Sequence, residues 1–448
     1  MQKVFKHPIT MKHLTRNILT AALCLLAVCT TSAQQRYDIF PTPTKTDIPY
    51  RIPAIAALPD GRLICVADYR YSRQDIGIKK GGRIDLHMRI SEDNGLTWGE
   101  PFTLVEGKGS ESPDFMNVGY GDPCIVADRG GKRVMVMSCA GDVPYIRGQR
   151  DLHQCIARFY SEDGGRSWSE PTDIAEQIYS LFDNGKYGPA RSMFIASGKV
   201  LQSRYVKAGK YYRLYCAALQ TVANGEWMNF VLYSDDFGES WAVLGGVDNS
   251  PILKGADEAK VEELPDGNLL ISSRTDNEGR NFNIFTFSNL KRAEGCWGEM
   301  AHSNKNNGGV HSDRNACNGE LMVLPVVRRS DSREMYLLLQ SLPLGPYRKN
   351  VGIYYKGLES SADIASPARI AENWEGVFKT SSQTSAYSTM AWQSNHTLGF
   401  LLEERELYTN DGGGYTIVYD NYTIEQLTDN KYSFNPKAGK KPWKSSKK

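Results

Sequence analysis

Residues 91–98 read Ser-Glu-Asp-Asn-Gly-Leu-Thr-Trp, residues 161–168 read Ser-Glu-Asp-Gly-Gly-Arg-Ser-Trp, and residues 234–241 read Ser-Asp-Asp-Phe-Gly-Glu-Ser-Trp. All three fit S-x-D-x-G-x-[TS]-W, and their starts lie 70 and 73 residues apart. Local conformation explains the fixed positions. An Asp side chain can accept hydrogen bonds from turn amides, Gly permits a positive φ, and Trp packs back onto the sheet. Each octapeptide follows an apolar strand, over residues 84–90, 155–160 and 230–233. A strand–hairpin–strand unit at this period predicts one four-stranded propeller blade per unit.

The chain has 448 residues, and the 415 from Gln34 onward divide into about six units of that size. The expected fold is therefore all-β, a six-bladed β-propeller over residues 34–430. Residues 288–297 resemble a degenerate fourth copy of the hairpin. The 24 Tyr and 41 Gly suit a chain of strands and tight turns. Clusters of Pro, Gly, Asn and Asp recur too often for long helices. A net charge of +2 supplies neither the basic body expected of a nucleic-acid binder nor the acidic excess of a disordered chain.

Lys12, His13 and Arg16 precede an apolar run over residues 18–28, followed by Thr31-Ser32-Ala33. That layout predicts a signal peptide over residues 1–33, export to the periplasm or beyond, and Gln34 as the mature N-terminus. The run is too short for an ordinary transmembrane helix, and no other stretch is long and apolar enough to span a bilayer. Residues 26–29, Leu-Ala-Val-Cys, resemble a lipid-attachment motif at Cys29, but Val28 is larger than such a motif takes. The seven cysteines beyond this segment are widely spaced without a C-x-x-C pair, so buried thiols are expected. Histidines do not fall in metal-ligand spacings, and neither a metal nor a cofactor is implied. Six Lys in residues 437–448 predict a solvated, disordered basic tail over residues 431–448.

The octapeptides fix architecture rather than activity. A site signal lies elsewhere, beginning with Tyr50-Arg51-Ile52-Pro53 ahead of an apolar strand and the turn at residues 58–63. Together with the three hairpins, which match the family's Asp-box repeats, this resembles the sialidase (neuraminidase) family of exo-acting glycoside hydrolases. The resemblance runs from Tyr50 to Glu404. It implies a site arginine at Arg51, and at residues 70–77 a sugar-contacting Arg70 followed by the general acid/base Asp75, with Asp68 as the nearest rival. The family places a Glu sixteen residues before its second site arginine. That count gives Glu258 and Arg274, with Glu262 and Glu263 as competitors beside the strand, where alternation puts one on each face. Residues 346–353, Pro-Tyr-Arg-Lys-Asn-Val-Gly-Ile, resemble the segment carrying a third arginine, here Arg348; Arg328, Arg329 and Arg333 are alternatives. Tyr387, in Ser385-Ala386-Tyr387-Ser388 ahead of residues 398–403, matches the nucleophilic tyrosine. Gly121-Asp122-Pro123 resembles a turn whose Asp faces the sugar.

The implied substrate is a terminal sialic acid on a glycan, and the implied enzyme a monomer. Such a sugar carries a carboxylate on its anomeric carbon. Three guanidinium groups would hold it, since Arg donates a planar fork and stays charged, at about 1.5–3 kcal/mol per charge-assisted contact. A carboxylate nucleophile would be repelled by that group, whereas a neutral phenol would not. With an ordinary pKa near ~10 the phenol needs a base, the implied task of Glu258. Asp75 would protonate the leaving oxygen and then activate water, giving hydrolysis with retention, and sialidases are the tyrosine exception among glycosidases. A trans-sialidase would use the same residues, and a non-catalytic sialoglycan-binding propeller would share the architecture.

Overall fold

Leu63–Arg70 has an apolar start, Leu-Ile-Cys-Val-Ala, and is buried along nearly its whole length, on both faces. A strand reads that way when sheets stack against it from either side. The computed structural model describes residue 1 and residues 36–443, except residues 196, 254, 276–277, 313–316 and 440. An eight-stranded sheet runs Ser385–Trp392, Leu398–Thr409, Gly412–Tyr422, Tyr50–Ala57, Leu63–Arg70, Ile84–Ser91 and Phe102–Val105, with Tyr37–Phe40 beside Gly412–Tyr422. Its two halves meet through one residue pair, Tyr50 opposite Tyr415. Four five-stranded sheets follow, built around Val134–Ala140, Tyr211–Thr221, Leu269–Arg274 and Arg333–Pro343. Among the described residues, strand pairing is antiparallel except where Gly198–Lys199 joins Tyr120–Ala127.

Tyr50–Ala57 touches both Tyr120–Ala127 and Ser385–Trp392, and Glu320–Arg328 touches both Ser385–Trp392 and Ala259–Glu263. These strands surround a common axis, and the later strands of each sheet lie outside them. Hydrophobic clusters fill the space between neighbouring sheets: Ala54, Ile64 and Met88 meet Val134, Val136 and Phe159, and the next cluster joins Met135 and Met137 to Leu214 and Phe230. This radial, nearly all-β layout is consistent with a β-propeller. Of the described cysteines, Cys65, Cys124, Cys139, Cys155, Cys216 and Cys317 are buried thiols and Cys296 is exposed.

In the second octapeptide, Asp163 accepts from the Ser167 amide (3.0 Å), the Ser167 hydroxyl (2.6 Å) and the Ser161 hydroxyl (2.8 Å), while the Gly165 amide donates to Ser161 Oγ (2.8 Å). The other two repeat this network at Ser91–Asp93–Thr97 and Ser234–Asp236–Ser240. Gly165 adopts φ +92°, and a Cβ there would lie 2.5 Å from Ile64 Cδ1 of the preceding sheet. Each turn thus closes a hairpin and also presses it onto its neighbour. Gly165→Ala is expected to destabilise the protein by about 1–3 kcal/mol without touching the site, read as a lower unfolding midpoint in urea.

The C-terminal segment departs from the loose tail expected. Tyr432–Phe434 pairs with Glu320–Arg328 as an edge strand, Tyr432 is buried, and the Trp443 ring packs edge-on against Tyr336 at 5.2 Å. The lysines there are interleaved with aromatic residues that bury, so lysine density alone misled. Residues 444–448 lie outside the described residues, as do Cys29, the cleavage site and the expected leader beyond its first residue.

Candidate active site

Three of the inner strands begin with a bulge, and each bulge aims a side chain into one cavity. The pairing of Tyr50–Ala57 slips between Arg51 and Ala54, that of Tyr120–Ala127 between Gly121 and Cys124, and that of Ser385–Trp392 between Ser385 and Ser388. In the first two, the residue before a proline takes a positive φ, +50° at Ile52 and +54° at Asp122. Bulges of this kind re-aim side chains beside active sites, and a β-branched residue with positive φ is strained. Tyr-x-x-Pro thus recurs at residues 50–53 and 120–123, with one geometry.

The cavity, of about 260 Å³, is lined by Arg51, Asp75, Asp122, Glu258, Arg274, Arg348 and Tyr387, with an apolar wall that includes Tyr145, Phe194, Leu219 and Trp227. At its floor the Tyr387 hydroxyl donates to Glu258 Oε1 at 2.5 Å. Arg274 Nη1 donates to Glu258 Oε2 at 3.0 Å and approaches the Tyr387 oxygen at 3.4 Å, while its Nε pairs with Asp257 at 3.1 Å. The Arg51 and Arg348 guanidinium carbons stand 5.8 and 5.6 Å from the Tyr387 ring centre.

Burial and the adjoining Glu258 carboxylate push the Tyr387 phenol well above its ordinary range, against the pull of Arg274 and Arg348. The phenol is therefore neutral at rest. Asp75 is held below the usual carboxylate range, first by Arg70 and then by Arg51 and Arg348. Asp122 goes the other way, raised by burial and by nearby Asp68.

Two comparisons bear on what such a site belongs to. No family model matches the chain. Among curated proteins, a sialidase of Micromonospora viridifaciens is 31% identical over 237 residues, covering 50% of this chain and 32% of that protein. A sialidase of Paraclostridium sordellii is 26% identical over 235 residues, covering 52% and 54%. Over about half of its length the chain is similar to these sialidases. It matches from about a third to just over half of the length of these two relatives. Among solved structures, the Hadza microbial sialidase Hz136 superposes with a TM-score of 0.64 at 20% identity, covering 88% of this chain and 69% of that one. The intramolecular trans-sialidase of Ruminococcus gnavus gives 0.64 at 17% identity, covering 87% and 97%. These two likenesses speak to the fold.

Seven of the eight residues expected from the sialidase resemblance line the cavity. The eighth, Arg70, does not. Its side chain is 1% exposed and lies behind the wall, donating to Asp68 at 2.6 and 2.9 Å, to Asp75, and to Asp122 at 3.5 Å. Arg70 thus anchors two carboxylates that face the cavity, Asp75 and Asp122. Asp68, the rival acid, is fully buried, and burial raises it to about 6. Glu262 and Glu263 pair with Lys199 and Arg204 at the opposite end of the inner strands. A larger cavity of about 380 Å³ opens there, with none of the expected site residues on its walls. Arg328 and Arg333 pair with Glu359, and Arg329 donates to Asn430, all away from Tyr387.

One residue that organises the site was not singled out from sequence. Glu403, fully buried, accepts from Arg51 Nε at 2.7 Å, from the Ile52 amide at 2.8 Å and from the Tyr387 amide at 3.1 Å. It ties the strained bulge of one strand to the bulge of another and sets the spacing between Arg51 and Tyr387. An acidic residue directly after the apolar run at residues 398–402, in the middle of the strand Leu398–Thr409, was the available signal.

Proposed function

We propose that the protein is an exo-α-sialidase that hydrolyses terminal sialic acids from glycoproteins, glycolipids and oligosaccharides with retention of configuration. The observation that carries this reading is the phenol–carboxylate pair of Tyr387 and Glu258 beneath Arg51, Arg274 and Arg348. The three guanidinium groups receive the substrate carboxylate and turn the anomeric carbon toward the Tyr387 oxygen. As that oxygen bonds to the anomeric carbon, its proton passes to Glu258, and the bond to the leaving glycan breaks with Asp75 giving it a proton. Asp75 then takes a proton from water as the water oxygen displaces Tyr387, which recovers its own proton from Glu258. Two displacements at one carbon restore the starting configuration. Asp122 contributes a polar contact to the sugar.

The same reading divides the propeller into six blades, with the eight-stranded sheet counted as two joined at Tyr50 and Tyr415. It takes residues 1–33 as an export signal, the three octapeptides as Asp boxes, and the exported protein as a monomer. Purified protein is expected to release the fluorophore from an aryl sialoside and free sialic acid from sialyllactose. No release from either would refute the function. Transfer to added lactose in place of free sialic acid would reassign it as a trans-sialidase.

A further inference from the structure

Asp75 is an exposed side chain, 69% accessible, on a loop at the cavity mouth; a group so placed needs its backbone held. On the N-terminal side, Arg73 donates to the carbonyls of Lys45 (2.6 Å) and Asp47 (2.5 Å), and Gln74 Nε2 donates to the carbonyl of Asp411. On the C-terminal side, Ile76 is buried against Ile84 and Cys139, and the Gly81 amide donates to Asp142 Oδ1 at 2.8 Å. Between them, Gly77 adopts φ +70°, and a Cβ there would lie 2.4 Å from both Pro144 N and the Val143 carbonyl carbon. Those are backbone atoms, which cannot swing aside as a side chain can. Any other residue at 77 must force the Asp75 loop and the 142–146 segment apart.

We infer that Gly77 and Asp142 are positioning residues for Asp75: the backbone contact at Gly77 and the Asp142–Gly81 hydrogen bond set where the Asp75 carboxyl meets the leaving oxygen. The inference rests on the sialidase reading of Asp75. It has a signature that a purely structural role lacks. An acid displaced by about 1 Å fails where the leaving group needs a proton, at a cost of about 10²-fold, and matters little where the leaving group departs unaided.

The test compares kcat/KM, which reports the displacement that expels the leaving group, on sialyllactose and on an aryl sialoside bearing a good leaving group, for the wild type, Gly77→Ala, Asp142→Ala and Asp142→Asn. Gly77→Ala should lose about 10–100-fold on sialyllactose and less than about threefold on the aryl sialoside, by the same reasoning. Asp142→Ala should show a smaller loss with the same selectivity, and Asp142→Asn, which keeps an acceptor for the Gly81 amide, should recover most of it. Should Gly77→Ala fail to fold, the Asp142 pair decides alone. Equal losses on both substrates, or no loss on either, would overturn the inference. A wild type silent on both substrates would instead remove the sialidase reading beneath it.

Discussion

Tyr387→Phe is expected to lower kcat by roughly 10³–10⁶-fold, the scale on which removal of a nucleophile acts, with KM little changed. The substitution deletes one oxygen at the cavity floor. Tyr387 is 6% exposed, so the ring stays packed where it is. The lost oxygen is the one placed 2.5 Å from Glu258 and 3.4 Å from Arg274. Glu258 keeps its pair with Arg274, which limits the cost to stability to about 1–2 kcal/mol for a single missing charge-assisted donor. Loss of turnover with an intact unfolding transition therefore separates a chemical role from a structural one. Activity within a few fold of wild type would remove Tyr387 from the mechanism.

Asp75→Ala comes second in size. In kcat/KM, which the first displacement sets, a fall of about 10²–10⁴-fold is expected on sialyllactose, the usual span of general acid catalysis, and a much smaller one on an aryl sialoside with a good leaving group. A pH dependence accompanies it. In the free protein Arg70, helped by Arg51 and Arg348, holds the Asp75 carboxyl below its ordinary value. A general acid works only while protonated, and the protonated fraction of a lowered group shrinks as pH rises. Since kcat/KM reports the free enzyme, kcat/KM on sialyllactose should decline as pH increases above ~4. The aryl sialoside should show a flatter profile over the same range. Parallel profiles, or equal losses in Asp75→Ala, would contradict the acid role.

What could be read from sequence was whatever local conformation demands. The octapeptides declare themselves because Asp163, Gly165 and Ser167 act within one turn. Tyr387, Glu258 and Arg274 were reached through the resemblance to sialidases, since Tyr387 meets the other two across 129 and 113 residues. Glu403 was hidden because its work is done on Arg51, 352 residues away. The position of Arg70 beside Asp75 in sequence likewise says nothing of Asp122, which reaches its guanidinium from another sheet. The choice of Arg348 over Arg328 and Arg333 depends on which end of the strand pair faces the axis, and alternation along a strand carries no such sign. The spacing of 70 residues between Tyr50-Arg51-Ile52-Pro53 and Tyr120-Gly121-Asp122-Pro123 equals that between the first two octapeptides, and it is a second, usable repeat.

The most direct test follows sialyllactose by proton NMR from the first minutes of reaction with the purified protein. Double displacement through Tyr387 requires that free sialic acid appear first as the α-anomer and only later equilibrate to the β form. The β-anomer as first product, or no sialic acid at all, would contradict it.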